Sequence, residues 1–102
     1  MKKTPTYDLE EIKELLQDET TRHISLDDMK EAVSLGYADD EDMVARVLKL
    51  RPKEFHKSMP ALKLQNVWQD VYYTYDGRTK LYIKLQKSFN GKGVIVSFKR
   101  SL

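Results

Sequence analysis

Side chains able to bind phosphate and move protons are concentrated in the second half of this 102-residue sequence. Alternation places Tyr82, Lys84 and Gln86 on one face of a predicted strand, and Ser97 and Lys99 on one face of the next. A sheet face that carries lysine, tyrosine and glutamine, and in some arrangements a histidine, suits the cleavage of RNA by its own 2′-hydroxyl. The protein then positions the phosphate, neutralises its charge and moves two protons. Lysine and tyrosine can do this without a metal ion if burial or neighbouring cations lower their pKa values.

Other chemistries lack the residues they need. The sequence has no cysteine, which excludes disulfides, thiolate metal sites and cysteine nucleophiles. It contains no phosphate-binding loop, dinucleotide fingerprint or nucleophile elbow, and its two histidines, His23 and His56, are far apart. The acidic run 39–42 lacks the glycine turn of a calcium loop and is more typical of a helix start. We therefore expect no metal and no cofactor.

Four segments of alternating apolar residues predict the strands that position these side chains, at 54–59, 67–74, 80–88 and 93–100. Asp76-Gly77 is a hairpin signal between the second and third strands. In the third strand, one face is apolar, with Leu81, Ile83 and Leu85. In the fourth, simple alternation groups Val94 and Val96 with Phe98, and groups Ile95 with Ser97 and Lys99.

Helical signals fill the first half. Asp8, Ser25 and Asp39 are predicted N-caps, each followed by apolar residues at helical spacing, and Gly36 is predicted to end the second helix in a left-handed conformation. Residues 20–25 fit either a short edge strand or a plain connection. Helices followed by an antiparallel meander predict an α+β fold, with the helices on the apolar face of a twisted sheet. We expect one domain over 1–102, with a helical half (1–52) and a basic sheet half (53–102).

The two halves differ sharply in charge. Residues 1–50 carry 7 Lys/Arg and 13 Asp/Glu, a net −6, whereas residues 51–102 carry 11 Lys/Arg and 3 Asp/Glu, a net +8. A basic half indicates a polyanion or an acidic partner, although lysines also keep edge strands from pairing. Three functions stay open at this point: RNA cleavage, nucleic-acid binding without chemistry, and recognition of an acidic protein. No apolar run is long enough to span a membrane and the N-terminus lacks a signal core, so we expect a cytoplasmic protein.

Four strings in the second half carry a family resemblance: Phe55-His56-Lys57-Ser58-Met59, Val67-Trp68-Gln69-Asp70-Val71-Tyr72, Leu81-Tyr82-Ile83-Lys84 and Val94-Ile95-Val96-Ser97-Phe98-Lys99. Together they resemble the motility quorum-sensing regulator toxins, the MqsR family. The second and fourth strings are the most specific, whereas the first half of the chain agrees mainly in layout. His56 is a departure, since a tyrosine-like aromatic is typical beside that lysine.

The resemblance implies a RelE-like toxin fold and a sequence-selective endoribonuclease that cleaves mRNA without a metal. It also implies a cognate antitoxin, with a structural zinc and a helix-turn-helix DNA-binding domain, whose complex with the toxin represses their operon. The catalytic positions that match the family are Lys57, Gln69, Tyr82 and Lys99. We expect RNA contacts from five further basic residues, His56, Arg78, Lys80, Lys84 and Arg100. Alternation alone leaves the face of Gln69 undecided.

Overall fold

The computed structural model describes residues 1–102 and contains three helices and five strands. The helices are α1 (Leu9–Gln17), α2 (Leu26–Ser34) and α3 (Asp40–Val47), and a short 3-10 helix follows at Pro52–Glu54. The strands are β1 (Arg22–Ile24), β2 (Phe55–Pro60), β3 (Trp68–Asp76), β4 (Thr79–Lys87) and β5 (Gly93–Arg100). This confirms the predicted α+β class, and the architecture agrees with a RelE-like toxin. The three helices have only eight or nine residues each, too few for any of them to span a bilayer.

The helices begin where the sequence predicts. The side chains of Asp8, Ser25 and Asp39 accept backbone N–H groups of the first turns of α1, α2 and α3, which satisfies donors that the helix itself cannot pair. Gly36 follows α2 with φ +100°, a conformation that glycine adopts without steric cost.

The acidic run at the start of α3 has a structural partner. The Arg22 guanidinium, whose side chain is 5% exposed, donates to Asp40 and Glu41 at 2.9 Å each. These ion pairs connect β1 to the first turn of α3. The run 39–42 is thus a helix N-terminus, as the sequence predicts.

The sheet has the strand order β1-β5-β4-β3-β2. The pairs from β2 to β5 are antiparallel, whereas β1 joins β5 in parallel through Arg22 and Gly93. Of the two alternatives for residues 20–25, the short edge strand is therefore correct, and it covers residues 22–24. Gly93 lets α1 approach this edge closely, since a Cβ there would lie 3.0 Å from the Leu15 Cβ.

A β-bulge corrects one predicted strand face. Lys84 pairs with Ser97, but Leu85 pairs with Ile95, so Val96 is an extra residue in β5. Ile95 consequently lies in the core with Phe98, and the predicted grouping of Val94 and Val96 with Phe98 is wrong. The helices and the sheet enclose a core of fifteen buried residues: Leu9, Ile12, Leu16, Ala32, Tyr37, Met43, Val44, Val47, Leu50, Tyr72, Leu81, Ile83, Leu85, Ile95 and Phe98.

A buried carboxylate holds the N-terminal segment against β3. Asp70 is 1% exposed and accepts the backbone N–H groups of Thr6 and Tyr7 at 2.9–3.1 Å. The Tyr7 hydroxyl donates to the Trp68 carbonyl at 2.7 Å. Lys2 forms a backbone bridge with Ser58, so the same segment also pairs with the outer edge of β2.

We expect Asp70→Ala to lower the free energy of unfolding by about 3 kcal/mol, because two partly buried hydrogen bonds to a charged acceptor are lost and the buried side chain is truncated. Glu14→Ala is the control, since Glu14 is exposed on α1 and its side chain forms no hydrogen bond or ion pair. Denaturant unfolding followed by circular dichroism measures both variants. A loss below 1 kcal/mol for Asp70→Ala would show that the Asp70 bonds contribute little.

Candidate active site

The sheet face opposite the core presents three rows of side chains across β2 to β5, and we call these residues the polar face. The first row is Met59, Gln69, Gln86 and Val94. The second row is Lys57, Val71, Lys84 and Ser97. The third row is His56, Tyr73, Tyr82 and Lys99. Strand alternation and register therefore bring amides, amines and phenols together in successive rows.

The amide of Gln69 is fixed by a neighbour on the next strand. Gln69 Nε2 donates to Gln86 Oε1 at 2.9 Å, and Gln86 is only 8% exposed. This bond leaves the Gln69 carbonyl and one amide N–H free to contact a ligand. It also decides the face of Gln69, which is the polar face.

Three lysines surround the middle of the polar face. Val71 is the register partner of both Lys57 and Lys84, and Lys99 lies on the strand beyond Lys84. Val71 is fully buried although it lies outside the core cluster, so the side chains around it cover it. Burial lowers the pKa of Lys84, and the charges of Lys99 and Lys57 lower it further, whereas Asp28 opposes them.

The third row is an aromatic ladder with cations on its faces. The His56 and Tyr73 rings lie 4.6 Å apart, and the Tyr73 and Tyr82 rings 5.7 Å apart. The Nζ of Lys80 lies 4.3 Å from the Tyr73 ring centre, and the Nζ of Lys99 5.2 Å from that of Tyr82. Burial, with a smaller contribution from Tyr73, raises the pKa of Tyr82, so this phenol keeps its proton at neutral pH.

An open cavity of about 570 Å³ lies at the end of this ladder. Tyr73, Tyr82 and Lys99 line it from the sheet, and Glu31 borders it from α2. Arg100 and the two C-terminal residues complete its wall. The cavity gives a ligand direct access to a phenol and an ammonium group.

Comparison with known protein families identifies the family of this chain. Residues 4–100 match the family model described as motility quorum-sensing regulator, toxin of MqsA. The chain belongs to this family. It is therefore a toxin of a toxin–antitoxin system with an antitoxin as its partner, and the resemblance seen in the sequence strings is confirmed. No curated protein sequence matches the chain.

The four residues predicted to be catalytic all lie on the polar face of this MqsR-family toxin: Lys57, Gln69, Tyr82 and Lys99. Of the predicted RNA contacts, His56, Lys80 and Lys84 lie with them. Arg100 borders the cavity at the end of β5. Arg78 lies apart from the polar face, because it is exposed in the two-residue turn between β3 and β4.

Three further residues join the site that were not among the predicted catalytic or RNA-binding residues. Gln86 holds Gln69, and Tyr73 stands between His56 and Tyr82. Asp28, in the first turn of α2, acts electrostatically on Lys84. The alternation of Tyr73 with Gln69 is the one signal that points to Tyr73, whereas nothing in the sequence places α2 beside the polar face.

The titratable groups of the polar face are amines, phenols and one imidazole. No three His, Asp or Glu side chains anywhere in the structure lie together in a way that could hold a metal ion. Amines and imidazoles bind anions, and together with phenols they transfer protons. Such a face can bind a phosphodiester and move protons around it.

Proposed function

We propose that this MqsR-family toxin is a metal-independent endoribonuclease that cleaves mRNA through the 2′-hydroxyl of the RNA. The observation that supports this most is the register pair Tyr82 and Lys99, with Lys57 and Gln69 on the same face. This pair places a protonated phenol beside an ammonium group at an open cavity. A phosphodiester bound there would find both charge neutralisation and a proton donor.

In the proposed reaction, a basic side chain of the polar face takes the proton of the 2′-hydroxyl, and the 2′-oxygen attacks the adjacent phosphorus. A new P–O2′ bond forms and the P–O5′ bond breaks, which yields a 2′,3′-cyclic phosphate and a free 5′-hydroxyl. Lys57 and Lys99 neutralise charge that develops on the phosphate oxygens. Tyr82 donates a proton to the leaving 5′-oxygen, and Gln69, held by Gln86, orients the sugar and phosphate.

The surrounding residues are proposed to bind the RNA strand. Lys80, Arg78 and Arg100 supply positive charge along the β3–β4 hairpin and the end of β5. His56 and Tyr73 present ring surfaces on which unpaired bases can stack, as in other single-strand RNA sites. Single-stranded regions of mRNA are therefore the proposed substrate.

The proposal includes the biological setting that the family implies. Cleavage of mRNA in the cytoplasm would stop translation and growth. The antitoxin, proposed to hold a structural zinc and a helix-turn-helix domain, would neutralise the toxin. Operator DNA would be bound only by the toxin–antitoxin complex, since the helix-turn-helix belongs to the antitoxin.

Purified toxin is expected to cut single-stranded RNA in excess EDTA, because the RNA supplies the nucleophile and lysines neutralise the phosphate. A DNA strand of the same sequence is the control and should remain intact, since it lacks the 2′-hydroxyl. Gel analysis and end-group mapping measure the products. Cleavage that requires added magnesium would refute this mechanism, and RNA binding without cleavage would favour a noncatalytic regulator.

A further inference from the structure

Lys84 occupies the centre of the polar face. On β4 it lies between Tyr82 and Gln86 along the strand, and its register partners are Val71 on β3 and Ser97 on β5. Lys57 lies two strands away in the same row, on the other side of Val71. Adjacent strands lie about 4.8 Å apart, so the row from Lys57 on β2 to Ser97 on β5 is about 14 Å wide, and an RNA backbone lying across the face would contact all four strands.

The surroundings of Lys84 disfavour its charged form. Its side chain is half-buried, beside the fully buried Val71. Two ammonium groups, those of Lys57 and Lys99, lie close enough to lower its pKa. Its Nζ lies 5.8 Å from the ring centre of Tyr82, and a phenol cannot neutralise it while it keeps its proton.

We propose that Lys84 is the general base of this toxin, which removes the proton from the RNA 2′-hydroxyl; this role rests on the endoribonuclease function proposed above. In this step, the neutral Lys84 amine takes the proton of the 2′-hydroxyl and becomes an ammonium, while O2′ bonds to phosphorus. Tyr82 gives its proton to O5′ as the P–O5′ bond breaks. The proton gained by Lys84 and the proton lost by Tyr82 are then exchanged with solvent.

The division of roles follows from burial acting on two chemically different neighbours, because burial disfavours the charged form of both Lys84 and Tyr82. Acid and base assignments in active sites are recognised where two titratable groups have pKa values moved in directions that suit their tasks. The pKa of Lys84 is lowered, so more of it is neutral at a given pH, and that of Tyr82 is raised, so it stays protonated. Lys57 and Lys99, on either side, are left to hold the phosphate.

A carboxylate on α2 opposes the effect of Lys57 and Lys99 on the pKa of Lys84. Asp28 accepts a hydrogen bond from the Ser25 hydroxyl at 2.7 Å, and α2 packs against β5. Its charge raises the pKa of Lys84 and thus counteracts the two lysines. Glu31, one turn later on α2, borders the cavity beside Lys99, and His56 and Tyr73 are the remaining titratable groups of the face. Asp28 is therefore a residue that tunes Lys84 without touching the reacting atoms.

The first test compares two Lys→Arg variants on β4. Lys84→Arg keeps the positive charge but cannot act as a base at neutral pH. We expect it to bind RNA within about threefold of wild type and to cleave at least ~10²-fold more slowly in single turnover. Lys87→Arg is the matched control, because Lys87 is exposed on the same strand and pairs with Glu11, and it should cleave as wild type does.

The second test follows the pH dependence. With a lysine base, the single-turnover rate of the wild type should rise about tenfold per pH unit below the pKa of Lys84. Asp28→Asn removes the charge that raises this pKa, so the rise should move to lower pH and the rate on the rising limb should increase severalfold. Asp27→Asn, an exposed change in the same helical turn, should leave the profile in place.

The outcomes separate the two proposals. If wild-type toxin does not cleave RNA at all, the endoribonuclease function is refuted and the role of Lys84 with it. If wild type cleaves and Lys84→Arg retains its rate and pH profile, the function stands and Lys84 is not the base. An unchanged pH profile in Asp28→Asn would also overturn the assignment, since it would show that another group controls the rate.

Discussion

Replacing Lys99 with alanine is expected to abolish growth inhibition and to slow RNA cleavage by at least ~10²-fold, the range for losing an oxyanion-type donor. Lys99 lies opposite Tyr82 in the β4–β5 register and its ammonium lies 5.2 Å from the Tyr82 ring centre, at the mouth of the cavity. Because its side chain is exposed, its removal should change the free energy of unfolding by no more than about 0.5 kcal/mol. RNA affinity should fall only modestly, as one phosphate contact among several.

Two comparisons make the Lys99 result specific. Lys92→Ala, in the turn before β5, removes a similar charge outside the polar face and should cleave normally. Lys99→Arg should restore most of the rate if Lys99 acts as an electrostatic clamp, whereas Lys84→Arg should not if Lys84 is the base. A folded Lys99→Ala variant that cleaves at the wild-type rate would show that this part of the polar face is not the active site.

The sequence predicts the shared face of Tyr82, Lys84 and Lys99 because the relevant part of the β4–β5 ladder is regular. Tyr82 pairs with Lys99, and Lys84 with Ser97, without interruption. Strict alternation therefore holds across both strands in this stretch, and apolar partners such as Leu81 and Ile83 identify the opposite face. The helix starts are equally local, since each depends on one capping side chain.

Strict alternation no longer predicts the strand face on β5 at Val96, the residue before Ser97. The bulge at Val96 inserts an extra residue on β5 alone, so every residue before it changes face relative to β4. Ile95 thereby enters the core while the pattern predicts it beside Ser97. All four positions 93–96 are glycine or β-branched apolar residues, and such a run contains no polar residue that would indicate the change.

On β3, the pattern is obscured by a buried polar residue. Asp70 lies on the core side because the backbone of Thr6 and Tyr7, more than 60 positions away, supplies its hydrogen bonds. Val71, an apolar residue, lies on the polar side. Since the two faces of β3 do not differ in polarity, only the partners of the strand decide the face of Gln69. The placement of Asp28 has the same origin, because the packing of α2 against β5 is a non-local contact.

Replacing Tyr82 with phenylalanine is expected to slow cleavage by at least ~10²-fold, because the leaving 5′-oxygen loses its proton donor while the ring and its packing remain. Burial and Tyr73 raise the pKa of Tyr82 above its ordinary value of about 10, so the group donates a proton throughout the neutral range. The midpoint of any activity loss from its ionisation should therefore lie above about pH 10. Tyr75→Phe, on the same hairpin and 60% exposed, is the control and should cleave normally.

A modified substrate tests whether Tyr82 acts on the leaving group. Once the cleavage site is mapped, the bridging 5′-oxygen there is replaced by sulfur, which leaves as a thiolate and needs no proton. Tyr82→Phe should cleave this RNA at close to the wild-type rate, since the missing step is no longer required. Lys99→Ala should remain slow on the same RNA, because the charge on the phosphate oxygens still develops in the transition state. If Tyr82→Phe cleaves the sulfur-substituted RNA as slowly as the unmodified RNA, Tyr82 is not the acid. Its position opposite Lys99 would then indicate a role in holding the RNA.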